Sequence, residues 1–177
     1  MLPFTDRNLI VTGYIGANLP PLTQQIAQRL RMPFVNVEAQ LEARAGMPLD
    51  RFRERYGEAR LKTLEADVMH DALLHRATAI YVSGRTLLVS DFGQRIQQTG
   101  PVICLVATLD AVLQRLHLTL GARYHNPSER ALAIGQLKRE WAARKLPGIH
   151  ELDATGMPEE AIIEAVIALW QQVAVGS

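Results

Sequence analysis
Residues Gly13 to Pro21 (GYIGANLPP) follow a short apolar run and precede a stretch with helical spacing, the place in an α/β chain where a phosphate-binding loop would sit. A working loop, G-x-x-x-x-G-K-[ST], cradles phosphate on backbone N–H groups, adds a lysine for charge and places a hydroxyl on Mg2+. Here Gly13 and Gly16 keep a tight turn, but Asn18 stands at the second motif glycine, Leu19 at the lysine and Pro20 at the hydroxyl, with Pro21 following. Both prolines lack the N–H that a helix start would point at an anion. Proline is nevertheless well tolerated in a first helical turn, and Asn18 can cap it. The expectation is a helix that forms and an anion site that does not. Taken alone, Gly-x-x-Gly after a strand is equally consistent with an ordinary turn.

Other reactive side chains read as structural. Cys104 lies in the apolar run PVICLV, where a thiol behaves as a small buried hydrophobe. His70, His75, His117, His125 and His150 have no metal-ligand spacing, so no metal site is expected. Arg51, Arg53, Arg55, Arg60 and Lys62 alternate with Glu54 and Glu58, the pattern of a solvated helix face with local ion pairs. Trp141 and Trp170 fall on helical segments and read as packing residues.

The elements that must position these residues alternate along the chain. Apolar, β-branched runs at 8–12, 34–37, 79–83 and 102–106 read as strands buried on both faces. Between them, Leu22, Ile26 and Leu30, then Leu61, Leu64 and Val68, then Val112, Leu113 and Leu116 repeat with helical spacing. Such alternation implies a parallel sheet with crossover helices on both faces. A helix over 129–144, a weak strand near 149–152 and a last helix opened by Met157-Pro158-Glu159-Glu160 complete the pattern. The 177 residues fit one domain, 1–177, with a lid around 118–130 where GARYHNPS supplies Gly, Pro and polar residues.

A 48% hydrophobic and 21% charged composition belongs to a globular chain with a sizeable core. A net charge of +1 creates no global field for nucleic acid or anionic membrane, and neither is expected as a partner. One cysteine, no leader-like start and no apolar run long enough to span a bilayer make the cytoplasm the expected location.

The segments RMPFVNVE (31–38), LEARAGM (41–47) and YGEARLKTLE (56–65) resemble in order and spacing those of shikimate kinases, and the resemblance continues through Ser83-Gly84-Arg85-Thr86 to the final helix. It implies a three-layer P-loop kinase-like fold with a central parallel sheet of about five strands. By the same resemblance Asn36 takes the place of an acid associated with the metal, Glu38 that of the acid holding substrate hydroxyls, and Lys62 that of the arginine clamping the substrate carboxylate. Gly84 and Arg85 occupy a glycine-rich turn against which the substrate packs, with Arg85 filling that space or offering a new cation. Arg123 matches a lid arginine, and either Arg139 or Arg144 takes the last substrate arginine. Gly13 and Gly16 remain as remnants of the phosphate loop.

Phosphoryl transfer is mostly positioning and electrostatic stabilisation, so losing the loop lysine, the hydroxyl and the metal-side acid together should remove it. The expectation is a pseudoenzyme of the shikimate kinase type with no cofactor, binding a small anionic or cyclic carboxylate or acting as a regulatory module for a protein partner. The alternatives are a residual Mg-ATP-dependent small-molecule kinase with an unconventional phosphate site, and a structural role in a homo-oligomer.

Overall fold
Every residue of the strand Leu9–Gly13 (β1) is buried, which requires a cover on both faces and a hydrogen-bonded neighbour on both edges. The computed structural model, which describes residues 5–121 and 125–176, supplies all four. β1 lies at the centre of a five-stranded sheet ordered β2-β3-β1-β4-β5, all parallel, with Phe34–Asn36 as β2, Ala79–Tyr81 as β3, Val102–Val106 as β4 and His150–Asp153 as β5. The register sets Ile10 beside Ile80 on one side and beside Val102 on the other.

Alternate residues of β1 feed two cores. Leu9, Val11 and Ile15 pack with Leu19–Leu30 (α1), Leu109–Leu120 (α7) and Glu159–Val175 (α9) on one face. Ile10 packs on the other with Val37–Ala45 (α2), Glu58–Leu74 (α4) and Phe92–Gln97 (α6). Short helices at Leu49–Tyr56 (α3) and Gly84–Leu87 (α5), and Pro127–Trp141 (α8), complete the set. Asn8 pins the entrance to β1, donating from Nδ2 to the carbonyl of His75 (2.8 Å) and the hydroxyl of Thr99 (3.0 Å) while its Oδ1 accepts the Thr78 amide. A fully buried amide with this many partners is stabilising where an unpaired one would be costly.

Two sequence boundaries move, for local reasons. The strand expected at 34–37 stops at Asn36, because the Asn36 side chain accepts the Ala39 amide (3.1 Å) and starts α2. The strand expected at 79–83 stops at Tyr81, because the Ser83 hydroxyl accepts the Thr86 amide (3.1 Å) and starts α5. The helix expected at 129–144 begins earlier, at Pro127 after the Asn126 cap, and tightens after Trp141 into a 3-10 turn, Ala142–Lys145. Of the 118–130 lid segment, 118–120 close α7 and 127–130 open α8, while 122–124 lie outside the described residues. Cys104 is fully buried on β4, and burial pushes its thiol up to about 12, so it stays protonated. Among the described residues no helix is long and apolar enough to cross a membrane.

Candidate functional site
The C-terminal ends of β1, β2 and β3 open onto a cleft of about 390 Å3 lined by the 13–20 loop, Glu38, Tyr81, Ser83, Arg85, Gln136 and Glu140. Ligands bind at this end of parallel sheets because helix starts and loop amides converge there. Glu38, Arg85, Gln136 and Glu140 also line a second chamber of about 650 Å3, which extends past Pro48, Arg53 and Arg139.

Both loop glycines are demanded by the chain's own packing. Gly13 has φ +115°, and a Cβ there would lie 2.2 Å from the Leu105 carbonyl oxygen on β4. Gly16 has φ +80°, and a Cβ there would meet the Val112 carbonyl oxygen at 2.7 Å on α7. The loop's polar groups are drawn outward to helices: Trp141 Nε1 donates to the Tyr14 carbonyl (2.9 Å), and Arg115 donates to that of Ile15 (3.1 Å). Arg115 also donates to the carbonyls of Ala154 (2.7 Å) and Met157 (3.2 Å), and burial lowers its pKa. Leu19 is 3% exposed and packs into the α1 core, while Asn18 sits at the cap position without a side-chain cap bond.

Two carboxylates stitch the far wall. Glu38 Oε1 accepts the Ser83 amide (2.8 Å), and Glu140 Oε2 accepts the Gly84 amide. Burial raises the pKa of Glu140, with the Gly84 and Arg85 amides and the Arg85 charge acting against it. Tyr81 is pushed up by burial and then by the charges of Glu140 and Glu38, so it remains a phenol. Glu65, buried on α4, is raised by burial and lowered by Arg85. Arg85 therefore stands in the field of two buried acids. Among the described lining residues of the smaller cleft, Arg85 is the one cation beside two carboxylates.

The structure separates the candidate residues. Glu38, Arg85 and Arg139 come together, whereas Lys62 lines a different cavity. Gly84 is a glycine because α8 passes directly over it: a Cβ would lie 2.2 Å from the Glu140 carbonyl oxygen. Arg144 turns away from the cleft into a two-point ion pair with Glu151 (3.0 and 3.2 Å), so Arg139 is the arginine of this pair that reaches the cleft. Asn36 is engaged as the α2 cap, and Arg123 lies outside the described residues. Glu140, Tyr81 and Gln136 gave no signal in the sequence: Glu140 meets its partner 56 residues away, across a contact that no local pattern encodes.

Residues 21–170 match the family model of shikimate kinase. The chain belongs to the shikimate kinase family. A shikimate kinase of Thermodesulfovibrio yellowstonii is 22% identical over 96% of this chain and 98% of its own length. Among solved structures, shikimate kinase from Bacteroides thetaiotaomicron superposes with a TM-score of 0.70 at 21% identity, covering 94% of this chain and 96% of its own. Shikimate kinase from Acinetobacter baumannii, in complex with shikimate, gives 0.68 at 19% identity over 97% and 94%. These structures establish the three-layer kinase-like fold with its parallel sheet. The 13–20 loop precedes the first residue of the family match.

Proposed function
We propose that this shikimate kinase family member binds a small, hydroxylated carboxylic acid of the shikimate type in the Glu38–Arg139 cleft without transferring phosphate to it. The observation that carries the reading is Leu19: matched by resemblance to the phosphate lysine, it is 3% exposed and spends its side chain on the core. Pro20 and Pro21 follow with no N–H, so the loop lacks two of the donors that would hold the phosphates of Mg-ATP. On the acceptor side, Arg139 and Arg85 offer charge for a carboxylate, and Glu38 keeps one oxygen free of protein hydrogen bonds among the described residues to accept from a hydroxyl.

Calorimetric titration tests this directly. No heat with millimolar Mg-ATP, no ADP formed in the presence of shikimate, and shikimate binding weakened by Arg139→Ala are the expected results. Shikimate binding that Arg139→Ala leaves unchanged would sink the cleft assignment.

A second reading, an ATP-dependent kinase of shikimate or another small alcohol with a rearranged phosphate site, draws support from the family match over 21–170 and from relatives named shikimate kinase that align along nearly the whole chain. In that case Arg85 supplies the charge that Leu19 lacks. Saturable Mg-ATP binding with ADP production abolished by Arg85→Ala would establish it over the first.

A further inference from the structure
A separate cavity, of about 480 Å3, lies between α4 and the segment entering α6, and none of its lining residues belongs to the cleft or the chamber described above. Lys62, Ala66, Met69 and His70 face it from α4, at the i, i+4, i+7, i+8 positions that share one side of a helix. Phe92 and Arg95 face it from α6. The floor is apolar and buried, with Met69 6% and Phe92 2% exposed, and the rim is charged.

The rim cations are what set this cavity apart. Other arginines nearby are engaged: Arg53 pairs with Asp50 and Glu58, Arg44 pairs with Asp71, and Arg55 and Arg60 both lie over the Tyr56 ring. Lys62 and Arg95, among the described residues, make no side-chain hydrogen bond or ion pair, although Asp91 lies on the same rim and four residues before Arg95. One acid, Asp91, against two basic side chains, Lys62 and Arg95, leaves the mouth positive. Its size is that of a small-molecule pocket, and an apolar floor with a few charged groups at one end selects an apolar body with an anionic head. We propose that this cavity binds an aromatic or cyclic carboxylate, its acid group between Lys62 and Arg95 and its ring on Met69 and Phe92. Lys62 thereby acts on a carboxylate outside the Glu38–Arg139 cleft, and the site does not depend on what that cleft binds.

Naphthoate and its neutral amide, naphthamide, are the probes, titrated by fluorescence into the full-length protein. Naphthoate is expected to bind saturably and naphthamide about tenfold more weakly, because the amide cannot pair with the two cations. Lys62→Ala and Arg95→Ala should each weaken naphthoate by about tenfold while leaving the thermal midpoint unchanged, since both side chains are exposed. Asp91→Asn should tighten it. Ala66→Phe, which keeps both cations and puts a ring at a lining position of the cavity, should abolish binding. Equal affinity for acid and amide, binding that survives Ala66→Phe, or binding lost on Arg139→Ala in place of Lys62→Ala would overturn the proposal.

Discussion

Glu140 accepts a hydrogen bond from the backbone N–H of Gly84, and the Cβ that Gly84 lacks would lie 2.2 Å from the carbonyl oxygen of Glu140 itself. Side chain and main chain of one residue thus hold α8 against the start of α5, and the glycine is the condition for that approach. Because α8 also carries Gln136 and Arg139, this contact sets the width of the cleft.

Gly84→Ala is accordingly expected to destabilise the protein by about 1–3 kcal/mol through overpacking. The sign is informative, since the same change in an uncrowded helix stabilises. Urea unfolding of the two proteins measures it, and a neutral or positive change would remove the close contact as the reason for the glycine.

The raised pKa of Glu140 gives a pH signature. Burial lifts it above the ordinary 4.5, so the folded chain holds this proton more tightly than the unfolded one. Its contribution to stability is therefore complete below about 4.5 and declines as pH rises through the folded value. Glu140→Gln, which cannot titrate, should show a flatter decline as pH rises above about 4.5, so that the variant gains on the parent as pH rises. Thermal midpoints of both proteins across that range decide it; a variant curve parallel to the parent's would mean that Glu140 titrates normally.

Trp141→Phe keeps most of the ring and removes only the indole N–H that reaches Tyr14. The expected loss is about 1 kcal/mol, the ordinary worth of such a bond. Amide exchange over 14–18 should accelerate, because the loop loses a tether from α8. Unchanged exchange in that segment would show that the Arg115 bond to Ile15 and the Tyr14 amide bond to Leu105 hold the loop without it.

Leu19→Lys tests the proposed match of Leu19 to a phosphate-loop lysine. The site is 3% exposed and apolar, so the result should be a loss of at least about 2 kcal/mol with no gain of Mg-ATP binding. Leu19→Met, which conserves volume, should cost less than about 1.5 kcal/mol. A stable Leu19→Lys variant that binds ATP would show that the side chain can leave the core for the cleft.

Much of the architecture was legible because it rests on local periodicity. Apolar runs at 8–12 and 102–106 can be satisfied only inside a sheet, and the 3.6-residue spacing of Leu22, Ile26 and Leu30 only against its face. Caps were harder to see: Asn36 and Ser83 terminate strands by accepting an amide three residues on, a choice that competes evenly with continuing the strand until the helix beyond finds its packing. Glu140 was invisible, because a glutamate on a mixed polar helix reads as solvated unless its long-range partner is known.

The sequence by itself determined the parallel α/β order and the family. Those follow from residue types and spacing along one dimension. Only the tertiary structure decided that Gly13, Gly16 and Gly84 are kept for backbone contacts, that Arg139 and not Arg144 reaches the cleft, and that Lys62 faces a cavity of its own. Which way a side chain on a helix points is fixed by the rotation the helix adopts to bury its apolar stripe, and that rotation is a property of the assembled core.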